Sequence, residues 1–266
     1  QVRHLVVDIG EGLALGLADP AEGGVWLLSS LGICLARAGA VDAQPTCSDW
    51  IAPPTQAAED SARDVVGGSV GAVFVAYEDT LYRYADDAWA ALPLAAAQAK
   101  LRGLARAPDG DIWVACDRGL YRLAGGDPSV VEHLGGDAGI PFEGVARVDV
   151  GMPAEEGGDA PVFAIFEGAG VARYARGRWD LWHSRTWLPS RQVFAATATP
   201  DGSLWFATDR GVGEVYLQTM TLEDKARLLE EGTASRHDRF GYFSPTNLQV
   251  PGDVSSGVTR DDDNDG

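Results

Sequence analysis

Two stretches of the chain follow one pattern: Asp-Gly, one residue, an apolar-Trp pair, then a Gly-apolar pair starting six residues after the Trp. The first is Pro108-Asp109-Gly110-Asp111-Ile112-Trp113-Val114-Ala115-Cys116-Asp117-Arg118-Gly119-Leu120. The second is Pro200-Asp201-Gly202-Ser203-Leu204-Trp205-Phe206-Ala207-Thr208-Asp209-Arg210-Gly211-Val212, 92 residues further on. A chain that repeats itself at this scale must stack similar units, because no single unit buries its own apolar face. Looser copies centre on Trp26, Phe74 and Phe163, so the anchor aromatics follow one another at 48, 39, 50 and 42 residues.

Within each unit an apolar strand precedes the turn, an aromatic-centred strand follows it, and a third strand such as Leu120-Tyr121-Arg122-Leu123 comes after the Gly. Asp-Gly between alternating apolar runs is a hairpin signal. A fourth, outer strand fits Ala88–Leu92 and Arg178–Trp182. Three to four short antiparallel strands per unit predict an all-β fold, a β-propeller with about five blades. A sandwich has no reason to repeat one Trp-to-Gly spacing, and a β-helix has much shorter rungs. The expected propeller spans residues 1–217. Residues 218–266 are expected to form a helical linker and the start of a second domain, with a short helix at 221–232, an irregular stretch and an acidic tail. Five blades can close a ring, and a preceding piece could bring the number to six or seven. Leu5-Val6-Val7-Asp8 is a strand without a partner that could complete the last blade.

The Asp-Gly-x-Leu-Trp-Phe-Ala-Thr-x-x-Gly-Val pattern resembles the propeller repeats of two-component-regulator sensory ectodomains and related secreted proteins. Residues 109–123 and 201–215 match well; 24–37, 72–84 and 161–174 match loosely. The resemblance implies an extracellular or cell-surface binding scaffold and carries no catalytic residue onto this chain. It also implies that longer proteins of this kind continue into a larger, mostly helical domain.

Charge narrows the partners. Asp and Glu number 39 against 21 Lys and Arg, a net charge of -18, and no basic cluster is present to hold a nucleic-acid backbone. No apolar run is long enough to span a membrane. The three cysteines suit neither a disulfide scaffold nor a zinc site; a Cys34–Cys47 bridge is open, and Cys116 reads as a buried free thiol. The four histidines show no metal-ligand spacing, and no nucleophile elbow or phosphate-cradling loop occurs.

The remaining candidates are two. Trp179, Trp182, His183, Arg185 and Trp187 concentrate aromatic and polar groups as a binding surface for a protein or glycan; the alternative is an outer strand that packs two blades together. Asp261, Asp263 and Asp265, followed by Gly266, match the first positions of a calcium loop, with a solvated acidic end as the alternative. Repeated Asp109-Gly110 and Asp201-Gly202 read as turns rather than metal sites. Arg83, Arg122 and Arg173 recur in third strands, with pairing to a neighbouring blade's carboxylate expected, and the Asp117-Arg118 and Asp209-Arg210 turns could ring a central channel. The expected function is a non-catalytic extracellular binding or structural module within a larger assembly. The alternative is the accessory propeller of a carbohydrate-active enzyme whose catalytic domain lies beyond Gly266.

Overall fold

The computed structural model describes residues 14–18, 24–29, 32–37, 50–54, 62–68, 72–94, 99–154, 158–183, 188–216 and 242–243. Among these, five antiparallel sheets follow one another along the chain. Sheet 1 contains β1 (Ala14–Ala18), β2 (Gly24–Ser29) and β3 (Gly32–Arg37). Sheet 2 contains β4 (Asp64–Gly67), β5 (Val73–Ala76), β6 (Leu81–Ala85) and β7 (Ala88–Leu92). Sheet 3 contains β8 (Leu101–Arg106), β9 (Ile112–Cys116), β10 (Gly119–Leu123) and β11 (Val131–Leu134). Sheet 4 contains β12 (Val145–Val150), β13 (Val162–Phe166), β14 (Gly170–Ala175) and β15 (Arg178–Trp182). Sheet 5 contains β16 (Val193–Ala198), β17 (Ser203–Thr208), β18 (Gly211–Tyr216) and β19 (Tyr242–Phe243). Each sheet is a meander, and the first strands β1, β4, β8, β12 and β16 touch in chain order. Sheets arranged face to face around a line of first strands form a β-propeller.

Alternation of side chains explains why the second strands of sheets 2, 3 and 4 are buried throughout. On β9, Ile112, Val114 and Cys116 pack with Phe74, Ala76 and Leu81 of sheet 2. Trp113 and Ala115 pack with Val148, Val162 and Ala164 of sheet 4. Such a strand is covered on both faces and reads as a continuous apolar run rather than an alternating one. Where a Gly follows the aromatic, as in sheets 1, 3 and 4, it also has a steric cause. Gly119 has φ 119°, and a Cβ there would collide with the carbonyl oxygen of Leu134 on the outer strand. Gly170 meets the carbonyl of Trp182 in the same way. The hairpin is therefore closed by a residue that must lack a side chain.

The Asp-Gly turns act as expected. Asp109 Oδ1 accepts the Asp111 N–H at 3.1 Å, and Asp201 Oδ1 accepts the Ser203 N–H at 3.1 Å, while Gly110 and Gly202 take positive φ. Cys34 is disulfide-bonded and Cys116 is a buried free thiol; Cys47 lies outside the described residues.

The outer strand of sheet 5 is Tyr242–Phe243, which pairs with Val212 and Gly213. The Leu5-Val6-Val7-Asp8 strand and the 221–232 helix lie outside the described residues. One sequence expectation changes. Arg122 and Arg173 do not reach a neighbouring blade: Arg122 pairs with Asp111 and Arg173 with Asp180, each inside its own sheet. The reason is register, since Arg173 stands directly opposite Asp180 on β15. The two guanidiniums also lie over Trp113 and Trp182, at 5.8 and 5.6 Å.

Candidate functional site

Each propeller unit places the start of its first strand beside the turn between its second and third strands. Leu101 at the head of β8 lies opposite Cys116 at the end of β9. Asp117 in the following turn locks the two together: its N–H donates to the Lys100 carbonyl at 3.1 Å, and its Oδ1 accepts the Lys100 N–H at 2.9 Å. In sheet 5 the Asp209 N–H donates to the Gln192 carbonyl in the same manner. The Asp117-Arg118 and Asp209-Arg210 turns thus occupy the same end of their sheets, the mouth at which the first strands begin. A further bond, Leu101 N–H to the Glu78 carbonyl at 2.8 Å, fixes the sheet 2 turn against the head of sheet 3.

First strands also carry an irregularity. Register slips by one residue between Leu101 and Gly103 on β8, between Val145 and Arg147 on β12, and between Val193 and Ala195 on β16. The extra residues are Arg102, Ala146 and Phe194. A bulged residue leaves the ladder and re-aims its side chain. Arg102 is exposed, Phe194 is 53 % exposed, and Ala146 is half-buried.

A pocket of about 370 Å³ opens at this mouth, lined by Arg63, Glu78, Lys100, Leu101, Arg102 and Ala146. Sheet 2 supplies the first two, sheet 3 the next three and sheet 4 the last. Lys100 Nζ is 3.8 Å from Glu78 Oε1, with both side chains more than half exposed, a pair worth little in water. Arg63 and Arg102 make no ion pair or side-chain hydrogen bond among the described residues. Two uncompensated guanidiniums facing one pocket are notable in a chain with nearly twice as many acids as bases.

Carboxylates stand on two of the first strands, β4 and β12. Asp64 on β4 accepts the Val65 N–H and the Leu104 N–H, each at 2.8 Å. Asp149 on β12 accepts the Ala196 N–H at 2.9 Å and pairs with Arg147 at 2.8 Å. Leu104 and Ala196 lie just past the bulges of β8 and β16, so each carboxylate receives an amide of the next sheet's first strand. Burial pushes the Asp64 carboxyl above its ordinary range, and nearby Asp149 adds to this; the two amide bonds and Arg147 pull it back.

The aromatic candidates fall elsewhere. Trp182 is buried, with its ring 5.7 Å from that of Phe206 in the core between sheets 4 and 5. It packs blades together and is not presented as a surface. Trp179 is half-buried; its Nε1–H donates to the Ala138 carbonyl at 3.1 Å and its ring lies 4.9 Å from Tyr174. His183 is exposed. Arg185, Trp187, Asp261, Asp263 and Asp265 lie outside the described residues. No group of three or more His, Cys, Asp or Glu able to hold a metal occurs among the described residues.

Sequence reasoning missed Arg63, Glu78, Lys100 and Arg102. They are spread over forty positions and belong to no motif. The available signal was a charged residue recurring at the head of the first strands, at Arg63, Lys100, Arg102, Arg147 and Arg191.

No protein-family profile and no curated protein matches the chain. Solved structures do. Virginiamycin B lyase from Staphylococcus aureus, with quinupristin, aligns with TM-score 0.57 at 16 % identity, over 78 % of this chain and 68 % of that one. The extracellular domain of a one-component system from B. thetaiotaomicron gives TM-score 0.56 at 11 % identity, over 80 % and 31 %. YCF48 bound to D1 peptide gives TM-score 0.52 at 16 % identity, over 80 % and 66 %. The chain therefore spans about two thirds of the lyase and YCF48 structures and under a third of the extracellular domain. At these identities the likeness shows the propeller fold alone.

Proposed function

We propose that the chain is a non-catalytic extracellular binding module that engages a protein partner at the mouth of its channel. The observation that carries this reading is the pocket at the junction of sheets 2, 3 and 4, lined by the guanidiniums of Arg63 and Arg102, which have no partner among the described residues. Exposed arginines with no protein acceptor among the described residues, gathered in a concave site, can give their donors to a ligand that carries the opposite charge. The backbone beside these groups is tied down: the Arg63 N–H donates to the Ala76 carbonyl within sheet 2, Lys100 is bonded to Asp117 within sheet 3, and the Leu101 N–H reaches the Glu78 carbonyl across the two sheets.

Two similarities support the reading: extracellular domains occur among the fold's neighbours, and YCF48 is seen with a peptide. An exposed aromatic at the equivalent bulge of sheet 5, Phe194, suits the mixed polar and apolar character of protein surfaces. The test is parallel probing of peptide and glycan arrays with the wild-type chain and the Arg63→Ala/Arg102→Ala variant. Peptide hits that vanish in the variant are the expected result. Binding confined to glycans, or peptide hits indifferent to the variant, would overturn the proposal.

A further inference from the structure

We infer that the group held in the mouth is a carboxylate presented beside an apolar side chain; this deepens the proposed function and rests on the mouth being the binding face. Three observations point the same way. Guanidinium is planar and matches the two oxygens of a carboxylate in bidentate fashion, and Arg63 and Arg102 leave their donors without a protein acceptor among the described residues. Glu78 stands in the same pocket and offsets Lys100 at 3.8 Å. The pocket is thus tuned to modest positive charge, and Glu78 opposes a second negative charge on the ligand. Over the whole chain a net charge of -18 further disfavours polyanions, although screening confines most of that effect to about 8 Å at physiological salt.

The apolar half comes from the bulges. Arg102, Ala146 and Phe194 are the extra residues of consecutive first strands, and these strands touch in that order. Around the mouth the sequence of bulged side chains therefore runs cationic, small, aromatic. The Phe194 ring, 53 % exposed, stands on the strand next to Ala146 and beyond the pocket lining, so a ligand that extends from the arginines past Ala146 would meet an apolar surface. A chain terminus with an apolar residue has this shape, and so does a free branched acid.

Nuclear magnetic resonance titration of the intact chain with N-acetyl-leucine tests the inference. Shifts in the Arg102, Ala146 and Phe194 amide signals are expected at millimolar probe. N-acetyl-leucinamide, which lacks the charge, should bind at least about tenfold more weakly, as should N-acetyl-leucine to the Arg63→Ala/Arg102→Ala variant. Phe194→Ala should weaken binding about fivefold while leaving the charge discrimination in place. All three side chains are solvent-facing, so the variants keep the fold; matching amide spectra away from the mouth verify this. 4-Methylpentanoate separates the sources: equal affinity assigns a free acid, weaker affinity a peptide end. Equal binding of the acid and its amide at the mouth overturns the carboxylate inference and leaves the mouth as binding face. Shifts found only away from the mouth, or none, overturn both.

Discussion

Trp113 and Trp205 hold the same place in the repeat but differ in their surroundings. Trp113 is 3 % exposed between sheets 3 and 4, whereas Trp205 is only half-buried, on the face of sheet 5 turned away from sheet 4. Truncation should separate them. Trp113→Ala leaves a cavity between sheets and should cost about 3–5 kcal/mol, against about 1–2 kcal/mol for Trp205→Ala; urea midpoints of the two variants, compared at equal slope, measure the difference. Cys116 offers a second residue-scale check. Burial pushes its thiol up to about 11, and a neutral, enclosed thiol is a poor nucleophile. Ellman's reagent should therefore find no reactive thiol in the folded protein and one after unfolding without reductant; rapid labelling of the folded chain would contradict this placement.

At the scale of elements, the first strands are held by more than their ladders. Asp64 and Asp149 each accept an amide from the following sheet's first strand, and these bonds couple blade to blade where the bulges break regular pairing. Because the native pKa of Asp64 is raised above its unfolded value near 3.8, ionisation costs the folded state more than the unfolded one. Its favourable contribution is fully present below that unfolded value and declines as pH rises through the native pKa. Asp64→Asn keeps an acceptor for Leu104 and removes the titration. The variant should show a flatter stability profile than wild type from pH 4 upward, read from denaturation midpoints across that range. An unchanged profile would mean that Asp64 does not titrate in the folded protein. The Asp-Gly turns and the third-strand Gly were legible because each is a local steric requirement. Bulges were not: a one-residue slip depends on the partner strand, and nothing in Leu101-Arg102-Gly103 by itself announces it.

For the whole molecule, acid excess sets the response to salt. A net charge of -18 destabilises a compact state by self-repulsion, so melting temperature should rise as sodium chloride goes from about 10 mM toward about 150 mM. Ligand binding at the mouth should weaken over the same range, since it depends on attraction to Arg63 and Arg102. Opposite salt trends for stability and binding distinguish global repulsion from the local site.

The chain's sequence alone determined the repeat, the all-β character, the number of visible units and the turn chemistry, because each follows from contacts within about a dozen residues. Tertiary structure alone decided the rest. Whether Trp182 serves a surface or packs two blades together is decided only when sheet 5 buries it against Phe206. Arg63, Glu78, Lys100 and Arg102 have no common motif until three blades bring strand heads together. Packing brings together residues that are far apart in sequence, and a binding site made at a junction of blades exists only once that packing is complete.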